Sequence, residues 1–361
     1  MKLSIIIPTY NEEENIVELL NKIELSLKGL NYEHEIIVVD DGTDATAALA
    51  LKVAKSKGYP VKVHKRKAKR GLTSAILDGI KLSKGKLIAV MDADLQHPPE
   101  MLPELLKEIE KGNDIAIASR YVKGASSSLS LYRKFVSKTG VFILHLFVPK
   151  TRIVKDPLAN FIVFKKEIVD VNSIDTNAIR LLPELLVRGK VKKVVELPYQ
   201  FKSRKAGKTK VLSIRNMWAG LLYALRLGKK ELARMGKFLI VGASGIAVNE
   251  GLLWLLTEFV GLFYLVSSII AIETSILSNF ILNDVWTFRD CRKGNFIKRL
   301  IKFNVARIAT LAINFGMLFL LTTLGMHYLL SNLFGIALAT IAGYLASVWW
   351  VWKWKKTKNL R

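Results

Sequence analysis

Apolar positions along the chain fall into two regimes. Before about Lys230 they come as short runs, Leu3–Ile7, Glu35–Val39, Val61–His64, Lys86–Met91 and Asp114–Ala118. Between these lie longer segments in which apolar and charged residues recur at helical spacing, such as Glu12–Leu27, Ala45–Lys57, Thr73–Ser83 and Pro99–Lys111. Short β-rich runs alternating with helix-length segments predict a mainly parallel α/β sheet. After Lys230 the apolar stretches lengthen to Phe238–Thr257, Phe263–Asn283, Ile308–Leu324 and Tyr328–Trp352. A helix needs about 20 apolar residues to cross a bilayer, and four such stretches in succession predict a membrane-spanning bundle rather than a soluble core.

Composition sharpens this division. The 361 residues include 55 Lys plus Arg against 30 Asp plus Glu, yet 51% are hydrophobic. Only 14 of the basic and 6 of the acidic residues follow Lys230. The first part is therefore charged and large enough for its own core, and the second is greasy. Cys291 is the single cysteine, so no intrachain disulfide is available. Met1 to Pro8 runs straight into Asn11 and three glutamates, too short an apolar run for a cleavable leader. Arg289, Arg292, Lys293, Lys298, Arg299 and Lys302 lie between spans two and three, whereas Glu258–Leu262 and Gly325–His327 carry no Lys or Arg. Positively charged loops stay cytoplasmic, which predicts both termini and the first domain on that side.

The spans repeat internally. Phe238, Asn249 and Gly251 recur 65 positions later as Phe303, Asn314 and Gly316, and Phe280, Val285 and Trp286 recur 64 positions later as Tyr344, Trp349 and Trp350. Two hairpins entering from one side make a parallel repeat. This half resembles the GtrA-like membrane domain. Glu250, Glu273 and Asp284 are then either part of a path for a polar head group or packing and interfacial anchors.

In open α/β sheets ligands bind at the carboxyl ends of strands. The residues just past the runs are Pro8-Thr9-Tyr10-Asn11-Glu12, Asp40-Asp41-Gly42 and Asp92-Ala93-Asp94-Leu95-Gln96. No Walker or dinucleotide fingerprint is present. These strings, with His97-Pro98-Pro99-Glu100, Ser119 to Gly124, Tyr132-Arg133-Lys134 and Asp156-Pro157, resemble the family-two GT-A glycosyltransferases and most closely the dolichyl-phosphate mannose synthases. The resemblance covers nearly all of residues 1–210 and implies a Rossmann-like GT-A domain. Two departures are a loop at Asp40–Asp44 one residue shorter than the family's, and Ala159-Asn160 where Ser-Gly is common.

The chemistry fits. A nucleotide diphosphate sugar leaves with negative charge developing on the β-phosphate, which a divalent cation, Mg2+ or Mn2+, stabilises through oxygen ligands. Asp94 and Gln96 can both supply oxygen to one metal, with Asp92 on the metal or the nucleotide side; capping of the following helix is the alternative, although Pro98-Pro99 already start it. The resemblance implies that Pro8, Tyr10, Glu12, Val39 and Asp41 line the nucleoside pocket, that Ala93 lines the donor site, and that Arg120 lies near the transferred sugar or acceptor phosphate.

A phosphate monoester acceptor is already an anion and needs placement more than deprotonation. Arg133 and Ser137, an i, i+4 pair, are the candidates to hold it, in a segment of about 129–148 that mixes apolar and basic residues as an interfacial helix does. A solvated basic face is the alternative. Arg204, Gly207, Thr209 and Lys210 follow the family's R-x-x-G-x-S-K order and would close on the donor phosphates. The five histidines show no ligand spacing.

The expectation is therefore a GT-A domain (1–210), an interfacial linker (211–236) and a GtrA-like four-helix transmembrane domain (237–361). Its activity would be mannose transfer from GDP-mannose to dolichyl or another polyprenyl phosphate with inversion. UDP-glucose is the competing donor, and a non-enzymatic lipid transporter or scaffold is the competing class. Nucleic acid is not expected as a partner, because the basic residues sit beside spans and in phosphate loops and an anionic leaflet explains them.

Overall fold

The computed structural model describes residues 2–67, 71–128, 130–201, 214–292 and 294–352. Two compact units divide between Gly228 and Lys229.

In the first unit, strands β1 (Lys2–Thr9), β2 (Glu33–Asp40), β3 (Val61–Lys65), β4 (Leu87–Val90) and β5 (Ile115–Ser119) lie close to the predicted runs. They are joined by helices α1 (Ile16–Leu27), α2 (Thr46–Lys57), α3 (Leu72–Leu82) and α4 (Leu102–Glu110). A two-residue strand, β6 (Ser126–Ser127), helix α5 (Leu131–Phe147), strand β7 (Ile162–Lys165), helix α6 (Leu181–Arg188), strands β8 (Val194–Pro198) and β9 (Gln200–Phe201) and helix α7 (Ile214–Leu227) complete it. The main sheet runs β3-β2-β1-β4-β7-β5-β8, parallel except for β7.

Both faces of this sheet are covered, which is why β1 reads as an unbroken apolar run rather than an alternating one. Leu3, Ile5 and Ile7 join α1 and α4 in one core, while Ile6 faces α3 and α6 in the other. Helix α1 buries Ile16, Leu19, Leu20, Ile23 and Leu27, one stripe at helical spacing.

The antiparallel β7 has a functional consequence. Because it runs opposite to β4 and β5, its start lies where their carboxyl ends lie: Val90 pairs with Ile162, and the N–H of Ala118 donates to the carbonyl of Phe161. Residues just before β7, Asp156 and Asn160, are thereby delivered to the same sheet edge as Asp92 and Arg120.

Among the described residues, the second unit contains four helices long and apolar enough to cross a membrane: Lys229–Phe259, Tyr264–Thr287, Phe296–Thr323 and Tyr328–Val351. The third begins earlier than its apolar stretch because its first turns carry the basic residues of the preceding loop. The internal repeat is visible in the backbone. Hairpin turns use left-handed Gly261 and Gly325, and π-helical turns at Asn283–Thr287 and Ser347–Val351 end the second and fourth spans. Each hairpin is held closely at a glycine, where an added Cβ would collide with an asparagine: Gly245 against Asn279 and Gly335 against Asn314.

At the open ends of the hairpins the polar residues pair with one another. Asp284 accepts from Arg299 Nε at 2.8 Å, Arg292 Nε at 3.0 Å and Trp352 Nε1 at 2.7 Å. Arg234 bridges Glu231 and Asp290, and the Tyr344 hydroxyl reaches Glu231 at 3.1 Å. Trp352 stacks on Phe288 with ring centroids 4.4 Å apart. Asp284 is thus a helix-end anchor.

Candidate active site

The β1–β2 pair carries the first two strings. Parallel register sets Pro8 beside Val39 and Thr9 beside Asp40. Asp40 is fully buried and accepts from Thr9 Oγ1 at 2.8 Å, Gly42 N at 3.0 Å and Lys65 Nζ at 2.7 Å, so it closes the turn. Asn11 adopts φ +59° and accepts the Thr43 N–H at 2.8 Å, stitching the two loops together. A Cβ on Gly42 would sit 2.7 Å from the Asn11 backbone nitrogen, so this crossing requires glycine. Glu12 accepts from Asn15 Nδ2 at 2.9 Å, and its N–H donates to Thr46 Oγ1 at 2.9 Å, so it also shapes the start of α1. Tyr10 follows β1 directly, at the same sheet edge.

Asp41 is held by a residue that sequence reasoning missed. Arg66 donates Nε to Asp41 Oδ1 at 2.6 Å and Nη2 to the other oxygen, while Nη1 donates to Ser74 at 2.9 Å and to Asp78 at 3.2 Å. Burial alone would lower the Arg66 pKa, but the two carboxylates hold it above its ordinary value.

Past β4 the chain turns through Asp92-Ala93-Asp94-Leu95-Gln96. Leu95 stands at φ +59°, an uncommon position for a branched side chain. The turn buries Ala93 and Asp94, and the N–H of Gln96 donates to Asp94 Oδ1 at 3.2 Å. Asn160 donates to Asp92 Oδ1. The Asp92 N–H donates to His97 Nδ1 at 3.1 Å, so this imidazole, stacked on Phe161 at 5.4 Å, braces the turn. Burial lowers the His97 pKa.

Arg120, just past β5, makes a two-pronged pair with Asp156: Nε and Nη2 each donate at 2.8 Å, and its backbone N–H donates at 3.1 Å. Burial alone would lower its pKa, and Asp156 instead raises it well above the ordinary arginine value. Its guanidinium lies 5.3 Å from the centroid of Tyr121 and 5.7 Å from that of Phe201. The Tyr121 hydroxyl donates to Ser137 Oγ at 2.7 Å, tying α5 to this segment. Arg133, one turn earlier on α5, sits where the N-cap Ser130 accepts its backbone N–H. Arg204, Gly207, Thr209 and Lys210 lie outside the described residues.

The donor set suits a hard cation. Among the described residues no group of three or more His, Cys, Asp or Glu is placed to hold a metal. Asp92, Asp94 and the Gln96 amide instead offer a few oxygens at one turn, the partial set that Mg2+ or Mn2+ completes with substrate phosphate and water.

Comparison with known proteins agrees with this geometry. Residues 4–171 match the model for glycosyl transferase family 2, and residues 237–352 match the GtrA/DPMS transmembrane domain. A dolichol-phosphate mannosyltransferase from Pyrococcus furiosus is 44% identical over 94% of this chain and 96% of its own length. The enzyme of that name from Saccharomyces cerevisiae is 30% identical over 58% of this chain and 81% of its own. An undecaprenyl-phosphate 4-deoxy-4-formamido-L-arabinose transferase from Pseudomonas fluorescens is 41% identical over 31% of this chain and 34% of its own. The chain is a membrane protein with a GT-A catalytic domain and belongs to the dolichol-phosphate mannosyltransferase family of polyprenyl-phosphate glycosyltransferases.

Proposed function

We propose that this protein transfers mannose from GDP-mannose to dolichyl phosphate, or a closely related polyprenyl phosphate, with inversion and at the cytoplasmic membrane face. The observation that carries the reading is that the Asp92–Gln96 turn past β4 and Arg120 past β5 are each tied to the segment leading into β7, by Asn160 and Asp156, in a chain so similar to the Pyrococcus enzyme across its whole length. Pro8, Tyr10, Glu12, Val39 and Asp41 take the nucleoside. Asp94 and Gln96 would hold a divalent cation, with Asp92 and Ala93 beside it, and when bound it would supply counter-charge to the departing diphosphate. An oxygen of the acceptor phosphate, held by Arg133 and Ser137, attacks the anomeric carbon opposite the departing β-phosphate oxygen. One C–O bond forms as the other breaks, and no proton need be removed from the acceptor. Arg204 and Lys210 steady the leaving diphosphate.

Access for a lipid acceptor is supported by α5 and α7, which pack together through Leu144, Val148, Tyr223 and Ala224. Together they leave Leu131, Phe135 and Trp218 at 85%, 69% and 60% exposure. Apolar side chains standing out beside Lys134 and Lys138 suit a surface that rests in the bilayer interface. Transfer assays with purified protein, a nucleotide-sugar panel and one polyprenyl phosphate test the reading; preference for UDP-glucose would overturn the donor assignment. Tags at Gly261 and Gly325 should be reachable only from the far side of the membrane and a tag at Gly294 only from the cytoplasm.

A further inference from the structure

Arg120 has company. Arg180 stands at the entrance to α6 in extended conformation, φ −143° and ψ 146°, immediately before Leu181, Leu182 and Leu185, all fully buried. Its position is therefore fixed by a rigid helix start rather than by a loop. Leu181 and Leu182 share one core with Val39, Val90, Ile117 and Ile162, at or near the carboxyl ends of β2, β4 and β5 and the start of β7, so Arg180 stands at that edge, where the charges of Asp92, Arg120, Asp156 and Asp94 act on it.

The two arginines differ in how their charge is met. Arg120 has the fully buried Asp156 carboxylate across two of its nitrogens. Arg180 donates only to the carbonyl of Ile179, at 3.4 Å, and forms no ion pair among the described residues. It is partly buried, and desolvation is the strongest influence on its guanidinium. A partly desolvated guanidinium without a carboxylate partner is less favourable than a paired one unless something else supplies negative charge. Next to it, Asp92 already has Asn160 on one oxygen and is destined for the cation side. Asp156 is taken by Arg120 and Asp94 is assigned to the cation, so a bound phosphate would be the anionic oxygen that Arg180 meets.

We propose that Arg180 is a phosphate-binding residue of this site, presenting its guanidinium to an anionic phosphate oxygen of either the lipid monophosphate acceptor or the nucleotide diphosphate. The proposal rests on the glycosyltransferase reading above and adds to it a residue that no motif marks. Arg120, neutralised by Asp156, acts beside it as a fixed wall with stacked aromatics, while Arg180 supplies the uncompensated positive charge that draws the anion in.

The test uses the full chain in detergent with Arg180→Ala, Arg180→Lys and Arg180→Gln. Three probes are titrated separately: GDP with Mn2+, a short-chain polyprenyl monophosphate, and the corresponding polyprenol as a neutral control. Removing a charge-assisted contact should weaken one phosphate ligand by about ten- to hundredfold, with the lysine variant intermediate and polyprenol binding unchanged. The arm that falls identifies which phosphate Arg180 meets. Without ligand, Arg180→Ala should melt at or above the wild-type temperature, because a desolvated, unpaired charge has been removed; a structural arginine would lower it. Affinities for both phosphate ligands within about twofold of wild type overturn the proposal. So does a lower melting temperature with both ligands lost equally; should the alanine variant not fold, the glutamine variant is read by the same criteria. The arms compare variant with wild type in binding rather than turnover, so an unexpected donor sugar leaves them interpretable. A wild-type chain binding neither phosphate ligand would instead sink the proposed function itself.

Discussion

In the membrane unit, the buried carboxylates among the described residues are engaged by donors of the same unit: Asp284 by Arg299, Arg292 and Trp352, and Glu231 by Arg234 and Tyr344. The soluble unit divides its buried charge between two ends of one sheet. At the amino end, Glu35 is matched by Lys62, Ser4 and the Lys84 N–H. At the carboxyl end, the buried Asp94 accepts the N–H of Gln96 beside the left-handed Leu95, and Arg180 has no ion-pair partner among the described residues. Pairing at Asp284, Glu231 and Glu35 serves the fold, whereas at the carboxyl end the pairs of Asp41 with Arg66 and of Asp156 with Arg120 hold site groups in place beside Arg180, whose charge a ligand would complete. Changes at the first kind of residue should therefore appear in stability, and at the second kind in binding and turnover.

The largest expected effect tests the second half of that statement. Asp94→Ala should reduce transfer by about a thousandfold or more, since the departing diphosphate loses its counter-charge, and excess chelator should mimic it in the wild type. Its melting temperature without ligand should stay within a few degrees of wild type. Full turnover in chelator would remove the metal from the site.

Asp284→Ala should do the reverse. Removing one partner of a buried ion pair costs about 3–5 kcal/mol, here leaving two arginines and an indole N–H without their acceptor. Unfolding in detergent should begin at lower temperature, while nucleotide affinity of the surviving folded protein stays unchanged. A variant as stable as wild type but unable to bind lipid phosphate would move Asp284 into the functional class.

Glu35 offers a pH reading of the same contrast. Burial alone would raise its pKa, but hydrogen bonds from Lys62, Ser4 and Lys84 bring it down to about 2. A depressed folded pKa contributes stability fully above the unfolded value near 4.5, and this contribution is lost as pH falls through the folded value. Glu35→Gln should lower stability at neutral pH by at most about 3 kcal/mol, and the two proteins should converge towards pH 2. Parallel curves from pH 6 to 2 would show that the Lys62 pair adds nothing.

How far the sequence revealed this arrangement depended on distance along the chain. The first five strands and four helices were legible because periodicity is local, and the spans because twenty apolar residues have few other uses. Strand β7 was not, since Ile162–Lys165 is only four residues long and carries no pattern distinguishing an antiparallel insertion. That insertion is what brings Asp156 to Arg120 and Asn160 to Asp92. Arg66 and Arg180 were invisible for the same reason: neither falls in a motif, and each reaches its place through the end of an element remote from the strings it serves. His97 was set aside for want of ligand spacing, whereas its contact is to a backbone N–H five residues away.

The smallest effect concerns the Tyr121–Ser137 hydrogen bond, which belongs to neither class until tested. Tyr121 donates to Ser137 Oγ at 2.7 Å, leaving the serine hydroxyl proton to point elsewhere. If that proton meets the acceptor phosphate, Ser137→Ala removes a bond to a charged group and should raise the acceptor KM by about ten- to thirtyfold. Tyr121→Phe keeps the serine donor and removes only the group that orients it, so the rise should be about two- to fivefold. Neither change should alter the KM for the nucleotide sugar, because the pair lies on α5 and the segment past β5, away from the β1–β2 loops. Should both variants leave acceptor KM untouched and lower the melting temperature alike, the bond would join Asp284 and Glu35 as one that holds the fold, and the lipid phosphate would have to be sought around Arg133 alone.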